Sequence, residues 1–206
     1  MDSYKKAWEK DYKNRGPLWG GGLPILPDLP SGSRILELGC GNGKTLSAAL
    51  RYPWIIAAID VSEEAVKLGR IGSPESIYFL VADACFLPFR DRAFDAVFAF
   101  HVVGHVPLAK RDRIASEVTR VLKFRGKLFF DDFAADDMRA GRGEEVESGT
   151  FRRGKGIITH YFTEEETASL FCKMEPLSIR THRWKLLIRG KGMIRSEVQS
   201  VFQKVR

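Results

Sequence analysis

Residues 35–44, Ile-Leu-Glu-Leu-Gly-Cys-Gly-Asn-Gly-Lys, constrain this chain more than any other stretch. A short apolar run leads straight into glycines at 39, 41 and 43, and a helix-compatible segment follows from Lys44. Such a loop lets backbone approach a ligand where no side chain would fit. Two phosphate-binding patterns come close. A P-loop needs Gly-x4-Gly-Lys-[Ser/Thr]; Gly43-Lys44-Thr45 supplies its tail, but Leu38 stands at the first glycine. The dinucleotide fingerprint Gly-x-Gly-x-x-Gly would put its third glycine at Lys44. What fits is Glu-x-Gly-x-Gly-x-Gly, with Glu37 ending the strand. A carboxylate there repels a pyrophosphate and attracts an ammonium or a sulfonium.

The rest of the chain repeats the strand–helix rhythm. Strands are expected at 34–38, 55–59, 77–81, 96–100 and 127–130. Helices are expected at 44–51, at 63–70 behind a Ser62 cap, and at 107–122 opened by Pro107. This alternation predicts an α/β fold with a doubly wound, mostly parallel sheet. The length of 206 residues suits a single domain, given about 100–200 residues per domain. Three regions break the rhythm. Residues 1–30 hold Tyr4, Trp8, Tyr12 and Trp19 and four prolines, as suits an arm over the sheet. Residues 133–162 read as an insertion, glycine-rich and charged enough to be mobile. Thr163-Glu-Glu-Glu166 opens a short helix as a capping box. Beyond it, 177–188 and 196–205 flank Gly190-Lys191-Gly192 and predict an antiparallel C-terminal hairpin. Ile194, Val198, Val201 and Val205 also fit a helical face.

With the loop come four further motifs in order. These are Ile59-Asp60-Val61-Ser62, Val81-Ala82-Asp83-Ala84 followed by Leu87-Pro88-Phe89, Phe94-Asp95-Ala96-Val97-Phe98, and Leu122-Lys-Phe-Arg-Gly-Lys-Leu128. On these residues the chain, over about 31–132, resembles the class I S-adenosylmethionine-dependent methyltransferases, in particular the type 11, quinone-biosynthesis-like group. The family usually has Pro-Gly-Gly where Phe124-Arg125-Gly126 stands. The resemblance implies a seven-stranded Rossmann-like sheet, S-adenosyl-L-methionine as cofactor and S-adenosyl-L-homocysteine as product. It implies cofactor contacts from Glu37, Gly39, Gly41, Gly43, Asp60 with Val61, Asp83 with Ala84, and Phe100. Asp60 would take the ribose hydroxyls and Asp83 the adenine amino group. The pattern Trp8-x3-Tyr12 and Pro17-Leu18-Trp19 resembles an arm that closes over the cofactor, with Trp19 as the lid residue.

Methyl transfer to a small-molecule acceptor is the activity this resemblance implies. The acceptor must lie beyond the fourth and fifth strands, in line with the methyl group and away from water. His105 and His101 are the candidate bases, and His160, Tyr161 and Asp131 the candidate acceptor-pocket residues. No metal ligand set is expected. The Asn/Asp-Pro-Pro-Tyr and Pro-Cys motifs of amide-, adenine- and C5-cytosine-directed enzymes are absent after the fourth strand.

The formal charge of +7 belongs to one segment. Residues 1–179 carry 25 basic and 25 acidic side chains, whereas 180–206 carry eight basic residues and Glu197 alone. A basic hairpin at the pocket rim suits an anionic acceptor. It also keeps open a tRNA-modifying enzyme of the wobble-uridine type, whose loop Gly39–Lys44 resembles. A sensor or partner subunit that binds the cofactor without turnover is a third reading. Cys40, Cys85 and Cys172 form no evident disulfide framework or zinc site, the N-terminus is charged, and no apolar run reaches the ~20 residues of a membrane span. A cytoplasmic protein without membrane insertion is the expectation.

Overall fold

The computed structural model describes residues 3–15, 24–71, 73–154, 156–188 and 190–205. Helix α1 (Ser3–Arg15) precedes an alternating core: β1 (Arg34–Leu38), α2 (Lys44–Ala49), β2 (Ile55–Asp60), α3 (Glu63–Arg70), β3 (Ile77–Val81), β4 (Phe94–Phe100), α4 (Leu108–Val121) and β5 (Leu122–Phe133). Three short strands follow, β6 (Glu144–Glu147), β7 (Thr150–Arg153) and β8 (Ile157–His160). The chain closes with α5 (Glu164–Leu170), β9 (Glu175–Ile188) and β10 (Lys191–Gln203).

The main sheet runs β3-β2-β1-β4-β5-β10-β9. The first five strands pair in parallel, and β10 joins β5 and β9 antiparallel. The predicted doubly wound sheet with its antiparallel hairpin is therefore the observed architecture. Successive side chains on a strand point to opposite faces, and two cores form accordingly. Leu36, Leu38, Val97, Ala99, Leu128, Val198 and Phe202 pack with Ile114, Val118 and Val121 of α4 on one face. Ile35, Ile56, Ala58, Ala96 and Phe98 pack with Leu46 and Ala49 of α2 and Val66 of α3 on the other. Burial on both faces explains why β1 and β4 read as continuous apolar runs rather than as alternating strands. Strand order reverses between β1 and β4, which opens a crevice at their carboxyl ends. The glycine loop and His101–Val102 both stand there.

Ser62 caps α3 as expected, accepting from the Ala65 amide. At α5 only half of the predicted box forms. Thr163 accepts from the Glu166 amide, while the Glu166 side chain turns to His160. The segment expected to be mobile is instead folded. β6, β7 and β8 form an antiparallel meander, tied to the main sheet by Phe162 N–H donating to Phe133 O and Met138 N–H donating to Ile194 O. Its short, charged strands carry no clean alternation, so periodicity could not reveal them. Among the described residues no helix is long and apolar enough to cross a membrane.

Candidate active site

The loop after β1 turns on left-handed residues. Gly39 has φ 64°, and a Cβ there would come within 2.7 Å of Val102 Cγ2; Gly41 has φ 53°, and a Cβ there would meet the Tyr12 hydroxyl at 2.5 Å. Glycine takes both conformations without the strain that a side chain brings there. Asp60, at the end of β2, staples this loop. Its Oδ2 accepts from the Gly41 amide and its Oδ1 from the Ser62 amide, each at 2.9 Å. Burial raises its pKa despite those bonds. Glu37 is almost fully buried, and its Oε2 has no hydrogen-bond partner. Burial pushes this carboxyl up to about 8, helped by nearby Asp60 and opposed by a hydrogen bond from Thr45.

Helix α1 lies across the crevice. Tyr4 donates to Asp83 Oδ2 at 2.9 Å and Lys5 pairs with the same oxygen at 2.7 Å. The Cys85 amide donates to Oδ1. Burial pushes the Asp83 carboxyl up, but these partners outweigh it and hold the pKa below its ordinary value. Further along the helix, Glu9 accepts from the Ser62 hydroxyl at 2.7 Å, and Trp8 meets the His105 ring edge-on at 5.0 Å. Beneath the helix is a cavity of about 90 Å³, lined by Gly39, Asp60, Val61, Asp83, Ala84, His101 and His105. Seven residues singled out in the sequence thus share one cavity. Trp19 lies outside the described residues.

Phe100 departs from expectation. It stacks on Phe98 at 5.3 Å and lines a different cavity of about 430 Å³, with Lys44, Asp131 and Arg180. The strand pleat is the reason, since Phe100 belongs to the α2 face of β4 and not to the crevice face.

The two histidines differ. His105 Nδ1 donates to Ile158 O at 2.7 Å, which leaves the lone pair on Nε2. Burial lowers its pKa to about 4, so the ring is neutral at physiological pH. It lines both the 90 Å³ cavity and an open cavity of about 610 Å³ bounded by Trp8, Phe133, Arg139, Arg153 and Thr159. His101 has φ 53°, stacks on Phe133 at 4.6 Å and places Nε2 3.4 Å from Glu197. Burial, with His105 and Arg139 nearby, holds its pKa below the ordinary value. Ligand-type atoms of His101, Asp131 and Glu197 fall within 4.8 Å of one another, a grouping the sequence did not bring together. Crowding shows in the carboxyls: burial and Glu197 push Asp131 up to about 8, and burial pushes the fully enclosed Asp132 up to about 7. Arg139, Arg195 and Lys44 act on this cluster as well.

His160 has both ring nitrogens engaged. Its Nδ1 pairs with the Thr150 hydroxyl at 2.8 Å and its Nε2 with Glu166 at 2.7 Å. One ring nitrogen thus ties β8 to β7 and the other joins the meander to α5. Tyr161 is buried and accepts from Arg153 Nη2 at 3.2 Å. Sequence reading named Tyr4 only as an aromatic of the arm and missed Lys5, Arg139, Arg153 and Asp137, none of which stands in a motif. Glu197 did carry a signal, as the lone acid among eight basic residues.

Part of the hairpin charge is engaged within the protein. Arg183 pairs with Asp136 and Arg195 with the fully buried Asp137. Lys204 is buried and donates to Leu122 O.

Residues 36–130 match the family model described as a methyltransferase domain. The chain is 30% identical to 27-O-demethylrifamycin SV methyltransferase of Amycolatopsis mediterranei (strain S699) over 152 residues, covering 71% of this chain and 54% of that protein. It is 36% identical to tRNA (carboxymethyluridine(34)-5-O)-methyltransferase of Arabidopsis thaliana over 163 residues, covering 79% of this chain and 32% of that protein. Among solved structures, a SAM-dependent methyltransferase from Methanosarcina mazei superposes with a TM-score of 0.69 at 28% identity, covering 86% of this chain and 94% of its own. The chain belongs to the class I S-adenosylmethionine-dependent methyltransferases. It spans between about a third and about half the length of these curated relatives, and the relatives it matches include enzymes of both small molecules and tRNA.

Proposed function

We propose that the protein moves the methyl group of S-adenosylmethionine to a small-molecule acceptor and releases S-adenosylhomocysteine. The single observation that carries this reading is the buried, unpartnered Glu37 Oε2 beside the glycine loop. An orphaned acidic oxygen is costly, and the methionyl ammonium is a donor of the right charge to satisfy it. The chemistry of the other strand-end groups fits as well. Asp60 offers a carboxylate to the ribose hydroxyls, and Asp83 to the adenine amino group. Ligand clefts run to about 300–1,000 Å³, so α1 must lift from Asp83 before a nucleoside can enter the present 90 Å³ space.

The cofactor supplies an already activated methyl group, so alignment is the protein's main task. Val102 and the Gly39 backbone shape the floor at the β1–β4 crevice. His105, fixed by Ile158 O, keeps Nε2 available to accept a proton from the acceptor at the border of the two cavities. Trp8 shields that border from water.

One observation favours tRNA as a second reading. His182 stacks on Trp184 at 5.4 Å on the exposed, basic β9, a surface on which an unpaired base could stack. The pairing of Arg183 and Arg195 with Asp136 and Asp137 counts against it. Labelled methyl transfer into a metabolite extract, with none into total tRNA, is the expected result. Transfer into tRNA alone would reverse the choice.

A further inference from the structure

We infer that the open cavity beside His105 takes an acceptor bearing a carboxylate, held by Arg139 and Arg153; the inference rests on the methyl-transfer reading above. The Arg139 guanidinium lies 4.0 Å over the Phe133 ring. Its Nε is committed to Asp137 Oδ1 at 3.1 Å, while its Nη2 is buried and has no hydrogen-bond partner among the described residues. The other oxygen of Asp137 is taken by Arg195 Nε at 2.6 Å and by the Ser196 amide. One buried carboxylate therefore serves two guanidiniums; Glu197 is the other acid acting on both, and Arg139 remains a cation with a donor to spare. Arg153 adds a second, since its Nη2 donates to the neutral Tyr161 hydroxyl. Asp11 also lines the cavity, from α1, but it is fully buried and already engaged.

Two guanidiniums facing one cavity are suited to the paired oxygens of a carboxylate, because their planar forks donate two parallel N–H bonds. Trp8 and Ile157 supply an apolar wall for the rest of the molecule. The cavity also borders His105, so an anion anchored on the arginines places the far end of a small acid toward the cofactor space. Both arginines come from the inserted segment, outside the family's shared core, which makes that segment the selector of the acceptor.

The test is calorimetry on protein saturated with S-adenosylhomocysteine, using benzoate, salicylate and indoleacetate beside their primary amides. At least one acid should bind about tenfold or more tightly than its amide. Arg153→Gln and Arg139→Gln should each weaken that acid by about tenfold while S-adenosylhomocysteine binds as before. Arg139→Gln also disturbs Asp137, so Arg153→Gln, which forfeits only the Tyr161 contact, decides the matter if the first variant does not fold. Binding of no acid, equal binding of acids and amides, or unchanged affinity in Arg153→Gln overturns the proposal. So does binding of tRNA, with loss in Arg153→Gln, where the acids fail. S-adenosylhomocysteine binding is measured first. Its failure would strike the methyl-transfer reading and is read separately from the acid titrations.

Discussion

Around the glycine loop, backbone geometry selects the residues: Gly39 and Gly41 sit at positive φ values that glycine takes without strain, and Asp60 accepts from main-chain amides two and nineteen positions away. On the acceptor side the groove is held by long-range side-chain pairs instead, Asp137 with Arg195 and Asp136 with Arg183. The first kind of construction leaves motifs of fixed spacing. The second can be satisfied by many sequences, and it leaves a charge cluster with no spacing rule. Relatives of this fold can therefore share a cofactor end and differ in acceptor, as the small-molecule and tRNA methyltransferases among them do.

Four experiments break or sharpen that contrast. The largest expected effect is on turnover: His105→Gln should lower kcat by about 10²–10⁴-fold and leave S-adenosylhomocysteine affinity intact. A parallel loss of cofactor affinity would show that His105 belongs to the cofactor end. Next comes Asp137→Ala, which leaves Arg139 and Arg195 without their shared buried counter-charge. Breaking such a pair costs about 3–5 kcal/mol, read as a fall in unfolding free energy in urea. A loss below about 1 kcal/mol would mean that the acceptor side does not depend on this carboxylate.

The third concerns pH. Glu37, Asp131 and Asp132 have folded-state pKa values raised to about 8, 8 and 7. A raised acid favours the folded state while it stays protonated. Its contribution is full below the unfolded value near 4 and is lost as pH climbs through the folded value. His101 and His105, whose pKa values are lowered, oppose this trend up to their unfolded value near 6.5. The cofactor-free protein should therefore melt at progressively lower temperature between about pH 6.5 and pH 8, and Glu37→Gln should flatten that slope. A Tm that rises across this window would contradict the burial of these carboxyls. Asp83 and Asp137, whose pKa values are lowered, act in the opposite sense and withdraw stability only as pH falls through the acid range. The smallest effect is expected from Tyr4→Phe, which removes one hydrogen bond between α1 and Asp83. About 0.5–1.5 kcal/mol should appear as a several-fold faster association of S-adenosylhomocysteine by stopped flow. An unchanged rate would show that α1 does not gate the crevice.

The legibility of the chain follows the same division. The five parallel strands, the Ser62 cap and the C-terminal hairpin were readable, because apolar runs, cap chemistry and Gly190 report local requirements. The surroundings of Phe100 and His160 were not legible, because a sequence motif does not say to which face of a strand, or to which neighbour, a side chain turns. The meander went unseen because its strands are four residues each and Glu144, Glu145, Arg152 and Arg153 mask any alternation.

By itself the sequence determined the sheet, the crevice and the carboxylates at its strand ends, since each is announced by local apolar runs, caps and a glycine loop of fixed spacing. Only the tertiary structure decided where the charges go. It neutralised Arg183 and Arg195 of the basic hairpin against Asp136 and Asp137, closed α1 over Asp83, and turned Arg139 and Arg153 of the insertion toward His105. Those outcomes depend on which side chains meet at sequence separations of 47 to 79, and nothing in local spacing specifies them.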